Sequence, residues 1–275
     1  MLALFLVIAM VHGVIDSRSL MDSPILLMIY TGICLAGLYA LTERLIIARL
    51  KIGTIGGTVV GIERFGKRIA VLTIASDRPL EHQAGQFVEL GVPVRYERPH
   101  PFTIASAPGA PMVQIAVNAA GTGTAHIVRG TMIGDRVSLG AVRGQYRHDD
   151  AGSRQVWVAG GIGITPFVSW VRSRGAEDPG LRVDLVWTHH GFGDMPFVDE
   201  LGELAKQSSW LAVHLHDTSQ SPRLTAAEIV SMGGTDTTSL TVFACAATTV
   251  HSWTTELVRL GVPHERIHSE AFSFR

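Results

Sequence analysis

The chain has 275 residues, a formal net charge of −1, 47% hydrophobic residues and only 17% charged ones. That length leaves room for about two domains, and with no run of like charge there is no surface suited to nucleic acid. Two cysteines, Cys34 and Cys245, are too few for a cysteine-ligated iron–sulfur cluster and give no disulfide framework, so any electron carrier must be organic or haem.

The apolar excess is concentrated in residues 1–50. Residues 1–15 are almost wholly apolar but short for a span, and residues 24–41 form a second, uncharged stretch able to cross a bilayer. No basic residue precedes the first stretch, which argues against a signal peptide. Asp16, Arg18 and Asp22 in the link roughly balance, whereas Arg44, Arg49 and Lys51 follow the second stretch. This pattern predicts a multi-pass membrane segment of two helices in contact with lipid, with everything after residue 50 cytoplasmic. His12 lies in the first stretch, either as a haem ligand or near a helix end reaching interfacial water. No second histidine occurs in the first fifty residues, so a haem site there needs a haem-bearing partner subunit.

From 51 to 150 the pattern becomes short runs rich in β-branched and aromatic residues. Runs 58–62, 68–75, 86–90, 102–105, 113–117 and 136–139, separated by Gly, Pro and Asp turns, predict an antiparallel β-barrel. Two spots carry chemistry. In His100-Pro101-Phe102-Thr103-Ile104-Ala105-Ser106, prolines stiffen a strand bearing an aromatic ring and hydroxyls, which suits the wall and polar edge of a flavin; a proline-kinked edge strand is the plain alternative. In Gly121-Thr122-Gly123-Thr124, glycines and threonines open a short helix, as an anion site or an ordinary N-capped turn.

Residues 151–275 alternate strand and helix, which predicts a doubly wound parallel sheet. Strands are expected at 155–159, 182–187, 211–216 and 239–245, with helices at 165–173, 197–206 and 248–260; Thr225 and Glu228 form a capping box. Between the first strand and helix, Gly160, Gly161 and Gly163 remove Cβ atoms that would block a close ligand. Thr165 and Pro166 then open a helix whose positive end faces an anion. Ligands of such sheets lie at the carboxyl ends of the strands, which puts this turn, Thr188-His189 and Cys245 on one rim. The rim offers Thr188, His189 and His190 rather than arginine, which favours NADH over NADPH, with Arg172 and Arg174 as alternative phosphate grips or solvated residues. Glu270, Phe272 and Phe274 share one face of a final strand.

In order, Gly85-Gln86-Phe87, His100–Ser106, Gly121–Thr124, Gly160–Pro166 and Glu270–Phe274 resemble the ferredoxin–NADP reductase superfamily. Behind a membrane segment, His-Pro-Phe-Thr is similar to its ferric reductase and NADPH oxidase branch. The resemblance implies an FAD-binding barrel, a nicotinamide-binding α/β domain and electron transfer from NADH or NADPH through FAD to haem or another acceptor. His100, Pro101, Phe102, Thr103, Ile104 and Ser106 would hold the flavin and ribityl end. Gly121, Gly123 and Thr124 would hold the pyrophosphate, and Gly160, Gly161, Gly163, Thr165 and Pro166 the nicotinamide dinucleotide. Cys245 would lie near the nicotinamide, with Glu270 at the flavin's reactive edge and Phe272 covering the ring. Departures at Ala246-Ala247, where relatives carry Gly-Pro, and at Ala141-Val142-Arg143 leave open a non-catalytic membrane-tethered subunit acting through protein interaction.

Overall fold

The computed structural model describes residues 23–42, 54–93, 99–146, 148, 152–177, 180–191, 195–246 and 250–270. The chain divides into two units, Met1–Thr54 and Ile55–Arg275.

The first unit contains helix α1, Pro24–Thr42, nineteen residues without a charge. Ile25, Met28, Ile33, Leu35 and Tyr39 are all exposed, so the helix is apolar on every side. The described residues do not support the expectation of membrane-crossing helices. Among the described residues no helix is long and apolar enough to cross a membrane. At 1.5 Å per residue α1 reaches about 28 Å, just short of a hydrocarbon core of roughly 30 Å. The first apolar stretch and His12 lie outside the described residues.

The second unit begins with six strands: β1 Ile55–Phe65, β2 Ile69–Ser76, β3 Phe87–Gly91, β4 His100–Thr103, β5 Val113–Asn118 and β6 Arg136–Leu139. Helix α2, Thr122–Gly130, links β5 to β6. The sheet runs β4-β3-β6-β1-β2-β5 with every pair antiparallel. A bridge between Ile104 and Ile115 joins its two ends and closes the barrel expected from the alternating runs. The sheet curls to enclose Val59, Leu72, Ile74, Val88, Leu90, Ile115 and Leu139 as a dry interior.

The remaining elements are β7 Arg154–Gly160, a 3-10 turn Gly161–Ile164, α3 Thr165–Arg174, β8 Arg182–His189, α4 Val198–Gln207, β9 Leu211–Asp217, α5 Ala226–Gly233, β10 Thr241–Cys245, α6 Val250–Arg259 and β11 Ile267–Glu270. The five strands are parallel in the order β11-β10-β7-β8-β9. Alternation along β7 sends Trp157 and Ala159 into a core with α3 and α4, and Val156 and Val158 into a second core with Ile229 and Leu257 of α5 and α6. The sheet is therefore covered on both faces, as its continuous apolar strands require. The Thr225–Glu228 capping box forms as expected and starts α5.

Ala105 and Tyr146 of the barrel belong to the first of these two cores, packed with Phe167, Trp170 and Phe243. Barrel and sheet thus share buried apolar surface, and that shared core fixes their relative position.

Candidate functional site

The chain leaves β7 for β8 and β9 on one side, then returns to place β10 and β11 on the other. The crevice at this reversal, outside the carboxyl ends of β7 and β10, is where open parallel sheets hold ligands. Gly160–Gly163 lines it. A Cβ at Gly163 would run into the carbonyl oxygen of Cys245, and one at Gly160 would lie 2.7 Å from the Ala246 methyl. Those two glycines therefore let the turn pack closely against β10, a role the sequence reading did not assign them. Gly161 is different. Its φ of 53° favours glycine, and open space lies where its side chain would be. Thr165 and Pro166 are buried at the start of α3, and the Thr165 hydroxyl donates to the Ile162 carbonyl at 3.1 Å.

Beside this turn, Cys245 pairs with Glu270 across β10 and β11. Burial pushes the Cys245 thiol well above its ordinary range, and the neighbouring Glu270 carboxylate adds to the effect. Burial alone raises the Glu270 carboxyl to about 7. The Tyr146 hydroxyl is pushed up by burial and then by these two groups. Tyr146 stacks on Trp170 with ring centroids 5.1 Å apart and meets Phe167 and Phe243 edge-on. Gly85, at φ 93°, lets the barrel backbone pass close to the Tyr146 carbonyl and Trp170 Nε1. Sequence reasoning missed Tyr146; its place two residues after Gly144, at the exit from the barrel, was the available signal.

On the barrel, β4 pairs with β3 so that Phe102 faces Val88 and Thr103 faces Phe87. Phe102 lies in the barrel interior with Ile104, so its ring is core rather than an open wall. Thr103 is buried, Pro101 is exposed and His100 is half-buried at the strand's start. Buried Ser106 accepts a hydrogen bond on its hydroxyl from the Gln114 N–H at 3.2 Å. At the second predicted anion site, the Thr124 hydroxyl accepts from the Gly121 N–H at 3.0 Å and closes the first turn of α2. Thr124 therefore builds the turn. Gly121, with nothing near its missing side chain, and half-buried Gly123 leave the approach open.

The far rim lies at the ends of β8 and β9. His189, the last residue of β8, is buried, and His190, just beyond the strand, is exposed. Asp217 Oδ1 accepts from the N–H groups of Gly191 and Ser219 and from the Ser219 hydroxyl, at 2.9, 2.8 and 2.7 Å. Those bonds hold its carboxyl down to about 2, so it is ionised at neutral pH. A strand-terminal Asp followed by Thr-Ser was a readable sign of such a turn, and sequence reasoning did not use it. Arg172 and Arg174 do not reach this rim. They occupy the last turn of α3, where Arg172 pairs with Glu200 and Arg174 hydrogen-bonds His148 Nδ1 at 2.7 Å. Phe272 and positions 247–249 lie outside the described residues.

Several features fit an FAD and a dinucleotide. Glu270 Oε2, Asp217 Oδ2 and Tyr146 Oη are buried without a hydrogen-bond partner, as groups awaiting a polar ligand would be. Gly121 and Gly161 open the two helical turns to a phosphate.

No family model matches the chain. Over 207 residues it is 26% identical to flavohemoprotein A of Dictyostelium discoideum, a match covering 68% of this chain and 52% of that protein. The chain spans about half the length of the curated relatives it matches. Its structure is similar to flavohemoglobin from Malassezia yamatoensis with bound FAD and heme, with a TM-score of 0.72 and 18% identity over 96% of this chain and 72% of that one. It is also similar to the flavohem-like FAD/NAD-binding domain of nitric oxide dioxygenase from Vibrio cholerae, with a TM-score of 0.65 and 17% identity over 79% of this chain and 98% of that domain. The barrel and parallel sheet thus share the ferredoxin–NADP reductase-like fold of FAD/NAD-binding proteins.

Proposed function

We propose that this chain is an FAD-dependent reductase. It takes electrons from a nicotinamide dinucleotide and delivers them to haem or another one-electron acceptor. One observation carries the reading. The helix that opens at the glycine turn of the sheet is bonded to the strand end that would wall the flavin, through Ser169 Oγ and the Ser106 carbonyl at 2.8 Å.

FAD, when bound, accepts two electrons together and releases them singly, chemistry that side chains lack. The chain's own residues bind and orient. Thr103, Ser106 and the backbone of 100–104 would hold the ring's polar edge, and the open turn at Gly121 and Gly123, built by Thr124, would take the pyrophosphate. Gly161 and the first turn of α3 receive the nicotinamide phosphates. Cys245, neutral and small, floors the crevice without competing as a nucleophile. Glu270, raised to about 7 by burial, exchanges a proton near neutral pH at the end of β11. Asp217, ionised at the far rim, accepts from ribose hydroxyls and repels a 2′-phosphate, which selects NADH over NADPH.

Membrane tethering belongs to the same proposal. A helix that is uncharged and apolar all round, as α1 is, finds its solvent in lipid or in protein rather than in water. The basic residues after it support a cytoplasmic position for the two folded domains. Ferric iron is the acceptor that the ferric reductase resemblance suggests. The haem of the flavohemoglobin relatives supports haem as an acceptor in a partner subunit, with His12 as a contributing ligand.

The test is anaerobic. The purified full chain, supplied with FAD, should bind it, and NADH under argon should bleach the flavin absorbance. A chain that binds FAD without bleaching, or binds neither molecule, is a non-catalytic tethered subunit instead.

A further inference from the structure

Residues 105–106 lie just beyond Ile104, the residue after the strand His100–Thr103, and α3 grips them from the other domain. Ser169 donates to the Ser106 carbonyl at 2.8 Å. One turn further on, Arg172 Nη1 donates to the Ala105 carbonyl at 3.0 Å and to Gln114 Oε1 at 2.7 Å. The other edge of the guanidinium is fixed on Glu200 of α4, with Nε and Nη2 at 2.6 and 2.7 Å from its two oxygens. The barrel side is equally constrained, since the Ala105 N–H donates to the Gln114 carbonyl at 2.8 Å. A planar fork held at both edges carries far more positional information than an apolar contact.

Two further features mark this clasp as a polar addition to the apolar core in which Ala105 also packs. A cavity of about 350 Å³ lined by Gln114, Arg172, Phe197 and Glu200 lies beside the clasp, so side chains do not fill the gap between α4 and the barrel there. The ring of Phe197 sits 5.1 Å from the guanidinium, and Phe197 is the one non-glycine residue with positive φ, at 72°, among the described residues. Such a backbone persists only where its surroundings hold it.

The geometry points to Arg172 and Ser169 as positioning residues that fix the distance between the flavin wall and the nicotinamide turn. Both stand on the helix that starts at Thr165, so a shift of α3 moves the glycine turn and the 105–106 segment together. This inference rests on the reductase reading, and an error of about 1 Å in such a spacing slows transfer strongly.

The experiment uses the full chain in a Cys34→Ser background, comparing Arg172→Met and the milder Ser169→Ala with the unsubstituted protein. Affinities for FAD and NADH should stay within about threefold, while anaerobic flavin reduction by saturating NADH slows about tenfold or more in Arg172→Met and less in Ser169→Ala. In parallel, spin labels at Lys67→Cys and Gln207→Cys report the distance between the domains. It should be narrowly distributed in the parent and broad in Arg172→Met; should that variant fail to fold, Ser169→Ala carries both measurements. An unchanged reduction rate, or an unchanged distance distribution, overturns the assignment. If the parent binds FAD but no nicotinamide reduces it, the reductase reading fails, and the distance measurement alone decides whether the clasp sets the spacing.

Discussion

Cys245 and Glu270 face each other across parallel strands β10 and β11, at the carboxyl ends where the crevice opens. Burial keeps the Cys245 thiol protonated at neutral pH. In the folded chain Cys245 should therefore resist iodoacetamide at pH 7.5 and react once the chain is unfolded. Rapid alkylation in the native state, read by mass spectrometry, would show that the crevice is more open than this structure has it.

Glu270 gives a pH dependence with a definite sign. Its carboxyl rises from an ordinary value of 4.5 to about 7 on folding. Between those values the folded chain binds more protons than the unfolded one, so stability falls as pH rises through this window. Glu270→Gln removes the loss. The variant's stability relative to the parent should grow from pH 5 to pH 8, reaching roughly 1–2 kcal/mol after allowance for partial solvent screening. Denaturant unfolding at several pH values measures it, and a difference that stays flat contradicts the assignment.

The glycine turn separates packing from ligand approach. Gly163→Ala drives a methyl into the Cys245 backbone and should cost about 3 kcal/mol. Gly161→Ala meets open space and only the strain of a positive φ, about 1 kcal/mol, yet should weaken nicotinamide binding more than Gly163→Ala weakens it per folded molecule. Thermal unfolding with a binding titration on both variants checks the ordering.

Much of this was legible in the sequence, because periodicity reports burial. The barrel strands and the alternating strands and helices of the α/β half follow from apolar spacing, and Thr225–Glu228 from its capping chemistry. What escaped depends on partners remote in sequence. Nothing local shows that Gly163 abuts Cys245, or that Arg172 turns inward to Ala105 and Glu200 instead of toward a phosphate. The second apolar stretch did form a helix, Pro24–Thr42, because an unbroken uncharged run reads as one.

Nicotinamide choice should follow Asp217. With Asp217→Asn the Oδ1 acceptor survives and the charge does not, so kcat/KM for NADPH should rise on the order of tenfold relative to NADH. Steady-state rates with both nucleotides test this. An unaltered ratio removes Asp217 from the ribose site.

The most direct measurement is a structure of the full chain with FAD and NAD⁺ bound together. The account predicts the flavin against residues 100–106, the dinucleotide over Gly161, and flavin N5 within about 3.5 Å of nicotinamide C4. Ligands that occupy separate surfaces, or rings that never come into contact in the crevice beside Cys245 and Glu270, would contradict it.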